Sequence, residues 1–243
     1  MRELRAALGF MTILPVGDGD RWKAGFTVAW LPVVGLILGG LWAAFDAVAG
    51  VLFPLPLRAG LDVLFMVVVT GGLHLDGLAD TADGILSHRG PEEALRIMKD
   101  SRIGTWGVLA IIMALALKFQ ALSEGPLGQR ALTLVLVPAY GRLAMALGVE
   151  LLPYGRGTEG MAHGLFPGKG WRQCTIPVLL VGGSSTLLGW RDALLVNASF
   201  VLATACVLCF YHRRMRCITG DMLGALGEVT ECALLVALAG RWI

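Results

Sequence analysis

Long apolar runs separated by short polar stretches dominate the chain. Seven of them reach or approach the roughly 20 mostly apolar residues that a transmembrane helix needs. They run from Phe26 to Phe53, Ala59 to Leu75, Gly104 to Leu122, Ala131 to Leu152, Cys174 to Trp190, Ala193 to Tyr211 and Gly220 to Gly240. The second and fifth are short and carry glycines, and Val181-Gly182-Gly183-Ser184-Ser185 is a place where the fifth would break into a kinked pair. Ahead of the first span, Arg2 to Val16 reads as a short amphipathic segment stopped by Pro15. It fits an interfacial or re-entrant helix, tucked partly into the bundle, better than a span or a signal peptide. Gly35 and Gly39 are spaced for close helix contact. With no linker, repeat or low-complexity tract, residues 1–243 read as a single transmembrane domain, an all-α polytopic helix bundle.

Composition agrees. Of 243 residues, 56% are hydrophobic and 16% charged, against about 25% charged in ordinary soluble domains. Such a chain is neither disordered nor able to cover itself with polar surface in water. Five cysteines, an odd and sparse number, exclude a disulfide scaffold. Where the basic residues fall sets the orientation. Alternate loops hold fourteen Lys and Arg on one side and four on the other, leaving Lys118 and Arg142 inside spans. The expected topology has the N-terminus in the cytoplasm and the C-terminus outside.

Ionisable residues in or beside a span are costly and default to functional candidates. The densest group is His74-Leu75-Asp76-Gly77-Leu78-Ala79-Asp80-Thr81-Ala82-Asp83-Gly84. On a helix, Asp76, Asp80 and Asp83 share one face, within an arc of about 60°. Three carboxylates this close repel unless a cation neutralises them, and oxygen-only ligands suit Mg²⁺. A solvated acidic face is the plainer reading, but no Lys or Arg lies between Arg58 and Arg89 to balance one. Next comes Lys99-Asp100-Ser101-Arg102-Ile103-Gly104-Thr105, where Lys99 and Arg102 are phosphate donors, and Ser101 and Thr105 add hydroxyls. Alone it would be a positive-inside flank; beside the acids it suggests a magnesium–pyrophosphate site.

Asp221 and Glu228 lie on one face of the last span, with Glu231 near them, as a second metal or substrate site or as helix-packing acids. Arg142, mid-span, needs an anionic partner, either one of those acids or a substrate phosphate. Lys118 reads as snorkelling at the outer end of its span, and Cys206 and Cys209 as core packing. His74, far around the helix from Asp76, would orient substrate or cap the helix rather than share its metal. The glycine-rich stretch from Pro153 through Arg156 to Gly170 would cover the cytoplasmic site. Nothing resembles a nucleic-acid footprint.

Phe10-Met11-Thr12-Ile13-Leu14-Pro15-Val16, the His74–Gly84 stretch and Met98-Lys99-Asp100-Ser101-Arg102-Ile103-Gly104-Thr105 closely resemble the cobalamin synthase (adenosylcobinamide-GDP ribazoletransferase) family. So do Gly141-Arg142, Pro153-Tyr154-Gly155-Arg156, and Gly220-Asp221 with Leu223-Gly224-Ala225, Glu228 and Glu231. The match runs in order along nearly the whole chain and is poorest from Trp171 to Tyr211, with Trp106 a small departure.

The resemblance implies an inner-membrane, Mg²⁺-dependent transferase that joins adenosylcobinamide-GDP to α-ribazole or its 5′-phosphate and releases GMP. Asp76, Asp80 and Asp83 would hold Mg²⁺, and Lys99, Asp100 and Arg102 would complete the catalytic group. His74, Ser101, Thr105, Arg142, Arg156, Asp221, Glu228 and Glu231 would contact substrate. Self-association and other cobalamin-assembly enzymes fit such a role as partners. Two other classes compete. A CDP-alcohol phosphotransferase also uses membrane-embedded Asp-Gly and magnesium, but its motif ends Asp-x-x-x-Asp, against Asp80-x-x-Asp83 here. An ion-coupled transporter with Asp76, Asp221 and Glu228 as relays would favour two inverted halves, into which seven spans do not divide.

Overall fold

A computed structural model describes residues 2–16, 28–125, 127–157, 160–166, 170 and 172–240. Ten α-helices carry the fold, and no strand occurs among the described residues. They are α1 (Arg2–Met11), α2 (Trp30–Leu52), α3 (Leu55–Val69), α4 (Leu73–Leu86), α5 (Pro91–Ile97), α6 (Thr105–Glu124), α7 (Arg130–Leu151), α8 (Arg172–Ser184), α9 (Trp190–Arg214) and α10 (Gly220–Ala239). The start of the first expected span at Phe26 and the basic residues Arg21, Lys23, Lys169 and Arg241 lie outside the described residues.

Five helices (α2, α6, α7, α9 and α10) are long and apolar enough to cross a bilayer. This is fewer than the seven spans expected, and the shortfall lies in the two short, glycine-bearing runs. The second run is broken into α3 and α4, which meet at 87°. Gly71 and Gly72, with φ of 61° and 70°, make the corner. Their N–H groups close α3 onto the carbonyls of Val68 and Val67 at 3.0 and 2.9 Å, a left-handed exit that glycine enters without a Cβ penalty. The fifth run is short: α8 ends at Ser184 and tightens into a 3₁₀ turn over Ser185–Leu188, as its Gly-Gly-Ser-Ser stretch suggests. The N-terminal segment is helical, and Ala6, Ala7 and Met11 are buried against the bundle.

α7 and α10 form the interior, while α6 and α9 turn large apolar side chains outward, among them Leu109, Ile112, Leu194 and Leu202. On a span such side chains face lipid, where their exposure costs nothing. Cys206 and Cys209 belong to this outward face of α9 and not to the core. α2 packs backbone to backbone on α7: a methyl group at Gly35 would stand 2.5 Å from the Pro138 carbonyl oxygen, and one at Gly39 2.7 Å from that of Leu134. This is the small-residue contact that Gly35 and Gly39 predict.

Candidate active site

Two glycines bring the site together. A Cβ on Gly77 of α4 would lie 2.7 Å from the Asp221 carbonyl oxygen, and one on Gly224 of α10 would lie 3.2 Å from the His74 Cα. α4 and α10 therefore touch along their backbones, and that contact sets the α4 carboxylates beside Asp221. The expected helix over Asp76, Asp80 and Asp83 is present. Asp80 is half-buried, in the electrostatic field of Asp76, Asp221 and Asp83, with Arg156 the cation among them. Arg156 donates from Nη2 to Asp221 Oδ2 at 2.6 Å and to the Met98 carbonyl at 3.2 Å, and its buried Nε has no protein partner.

Arg156 is delivered by a local clasp. Gly155 N–H donates to the Ile218 carbonyl at 3.0 Å and Ile218 N–H to the Pro153 carbonyl at 2.9 Å, pinning the loop after α7 to the residues before α10. Thr219 caps α10 by accepting from Met222 N–H at 3.3 Å. A cavity of about 110 Å³ lies where these segments meet. Phe10 and Met11 of α1, His74 and Asp76 of α4, Tyr154 and Arg156 of the loop, and Asp221 of α10 all border it. Four stretches far apart in sequence thus share one wall, and Ala162 and Leu165 close it from the glycine-rich segment.

Asp83 departs from a simple three-carboxylate cluster. Its two oxygens accept from the N–H groups of Gly104 and Gly107, at 2.7 and 2.9 Å, and so cap the N-terminus of α6. A side chain at either glycine would collide with the carboxylate. The cap ties the basic stretch to the acidic helix and occupies both Asp83 oxygens. Among the described residues no three His, Cys, Asp or Glu side chains converge as a ready-made metal site. The donor chemistry still fits Mg²⁺, which is usually held by one or two carboxylates and substrate phosphates, not by an all-protein cage. Asp76 and Asp80 are such a pair.

The basic stretch lies exposed at the rim. Arg102 donates through Nε and Nη2 to the Asp100 carboxylate, at 3.0 and 2.7 Å, and its backbone N–H adds a bond of 3.1 Å. These bonds hold the Asp100 carboxyl well below its usual range, at about 2. So weak a base does not accept a proton from a hydroxyl near neutral pH. Asp100 orders Arg102 instead. Lys99, Ser101 and Thr105 are exposed beside it and do not border the cavity.

Arg142, Glu228 and Glu231 sit deeper than a substrate-contacting set would. Arg142 pairs with Glu231 Oε1; Lys118 Nζ reaches Glu231 Oε2 at 2.6 Å and Glu228 Oε2 at 2.7 Å. All four are buried. Lys118 does not snorkel; it is the second cation of a closed quartet. A second quartet lies near the N-terminal end of α7. Arg130 pairs with Asp46 at 2.8 Å and Asp62 at 2.5 Å, Arg58 pairs with Asp46, and Trp42 Nε1 donates to Asp62 at 3.1 Å. Sequence reasoning missed this group by treating Arg58 and Arg130 as loop residues. The available signal was Asp46 and Asp62, two acids within apolar runs.

The family model for cobalamin-5-phosphate synthase matches residues 3–239. Proteins named adenosylcobinamide-GDP ribazoletransferase match over nearly their whole length. The Desulforamulus reducens protein is 36% identical over 99% of this chain and 97% of its own. That of Acetivibrio thermocellus is 35% identical over 97% and 96%, and that of Chlorobaculum parvum 38% over 99% and 95%. No solved structure matches the chain.

Proposed function

The chain belongs to the cobalamin-5-phosphate synthase family, and from that premise we propose that it is the transferase that joins adenosylcobinamide-GDP to α-ribazole, or to α-ribazole 5′-phosphate, with release of GMP. The observation that carries the reading is the charge around the cavity. Asp76 and Asp221 border it, Asp80 lies in the field of both, and Arg156 is the cation beside Asp80 and Asp221, so the site is built to receive positive charge and a phosphate-bearing ligand together.

A ribose hydroxyl that is free in both α-ribazole and its 5′-phosphate attacks the phosphorus on the cobinamide side of the pyrophosphate and gives up its proton to solvent. A new P–O bond forms as the bond from that phosphorus to the bridging oxygen breaks, and the electron pair leaves on GMP. Asp76 and Asp80 would hold Mg²⁺, which would supply charge neutralisation for the pyrophosphate. Asp83 fixes the start of α6 against α4 and so places the basic rim. Arg102, oriented by Asp100, and Lys99 offset the charge that develops on the leaving group. Arg156 has an unsatisfied Nε and a second nitrogen on Asp221, so it can donate to a phosphate oxygen without leaving its place. The setting is the bacterial inner membrane, with the N-terminus and the site facing the cytoplasm and the C-terminus in the periplasm.

Purified protein supplied with adenosylcobinamide-GDP, α-ribazole and Mg²⁺ will release one GMP per corrinoid product. Absence of that product, with turnover of CDP-diacylglycerol instead, would assign the site to CDP-alcohol phosphotransfer.

A further inference from the structure

His74 is buried in the first turn of α4, and its two ring nitrogens have different partners. Nδ1 lies 3.3 Å from Arg142 Nη2. A guanidinium only donates, so Nδ1 is the acceptor and the ring proton of the neutral imidazole sits on Nε2. Nε2 faces the Met11 sulfur at 3.4 Å, a thioether and hence a weak acceptor. Both His74 and Met11 border the cavity. Arg142 is itself held by Glu231, which Lys118 also holds. The buried quartet, otherwise remote from the chemistry, therefore fixes the His74 N–H at the wall of the site, where its partner is the weak Met11 acceptor.

Around that N–H the cavity is apolar, with Phe10, Leu73, Met145, Leu165 and Leu223 among its walls. At about 110 Å³ it is smaller than cavities, roughly 150 Å³, that accept a benzene ring, so a bicyclic base enters it by one edge only. We propose that this cavity seats the base of the ribazole nucleoside, and that His74 is a positioning residue whose Nε2–H donates to the base's unsubstituted ring nitrogen. The inference rests on the transferase reading and says which part of which substrate the cavity takes. A dimethylbenzimidazole offers a flat apolar body, one acceptor nitrogen and no donor, which matches one donor among apolar walls. Guanine brings N–H donors that would need Asp221, already committed to Arg156, or Asp76, assigned to Mg²⁺. A corrin is too large. With the base against His74, the ribose points to the wall formed by Asp76, Arg156 and Asp221, where the pyrophosphate would lie.

The test pairs a residue change with a change of one atom in the substrate. α-Ribazole is compared with the analogue in which the acceptor nitrogen is replaced by C–H, using wild-type protein, His74→Ala and His74→Gln. A lost hydrogen bond of ordinary strength corresponds to about a tenfold rise in KM. The wild type will show that rise for the analogue with kcat little changed. His74→Ala will show it for α-ribazole and no further rise for the analogue. His74→Gln, which keeps a donor near Nε2, will recover most of the loss. Equal KM for the two nucleosides in the wild type overturns the assignment, even if His74→Ala fails to fold. So does a second full penalty for the analogue in His74→Ala, or a coupling that appears with 7-deazaguanine in the cobinamide substrate instead. Wild-type protein that turns over neither nucleoside would sink the transferase reading itself.

Discussion

The molecule holds its charges in two opposite ways. Two quartets, Lys118 and Arg142 with Glu228 and Glu231, all buried, and a partly exposed Arg58 and buried Arg130 with buried Asp46 and Asp62, each set two cations against two acids. At the cavity, Asp76, Asp80 and Asp221 gather around Arg156. Burying ions in an apolar bundle is tolerable only when they neutralise one another. The balanced groups are therefore scaffold, neutral without a ligand. The unbalanced one stands at the polar end of α4 and α10, incomplete until a cation and an anionic substrate arrive. Charge balance, more than the mere presence of intramembrane charge, separates structure from function here.

The comparison breaks first if a quartet is opened. Arg142→Met leaves Lys118 facing two glutamates, and removing one partner of a buried pair costs about 3–5 kcal/mol. A large drop in the detergent melting temperature is expected, with Arg142→Met plus Glu231→Leu recovering much of it because Lys118 and Glu228 still match. An unchanged melt with a raised KM would instead make Arg142 a substrate contact. Next, Asp80→Ala should remove GMP release by roughly 10²–10³-fold or more, the range for losing one group that stabilises developing charge. Its melt should hold or rise, since a like charge is gone. Asp83→Ala combines both behaviours. It loses the two backbone bonds at Gly104 and Gly107, so about 1–2 kcal/mol of stability goes with the activity.

These variants also show what the sequence could and could not reveal. Apolar run length found the long helices, and the spacing of Asp76, Asp80 and Asp83 found the acidic helix. Hydropathy passes smoothly through residues 59–75, so the corner at Gly71-Gly72 was visible only as a glycine pair. The role of Asp83 was hidden because its partners are backbone N–H groups 21 and 24 residues away, which have no side-chain signature. Arg58 and Arg130 were misread because counting basic residues assigns each to a membrane face, and Lys118 because its place near a span end suggested snorkelling; neither reading can see an acid on a neighbouring helix. Cys206 and Cys209 were placed in a core because an apolar span does not say which of its faces meets lipid.

The smallest expected effect is at the rim. Arg102→Gln should lower turnover and leave the melt unchanged, since the Asp100–Arg102 pair is exposed; Arg102 has 87% of its side chain accessible. The Asp100 carboxyl is depressed to about 2, so the pairing is fully present above its unfolded value near 4 and is lost only as pH falls through about 2. Asp100→Asn should therefore leave the shape of the pH–rate profile between about pH 5 and 9 unchanged. An acid limb that disappears in this variant would restore Asp100 as a base.

The most direct measurement is the melting temperature of the detergent-purified protein as Mg²⁺ is added, for wild type and Asp80→Ala side by side. A ligand that binds the folded state raises its stability by mass action. The account predicts a saturable rise for the wild type that Asp80→Ala abolishes and Lys99→Gln preserves. No rise in the wild type, or an equal rise in Asp80→Ala, would contradict it.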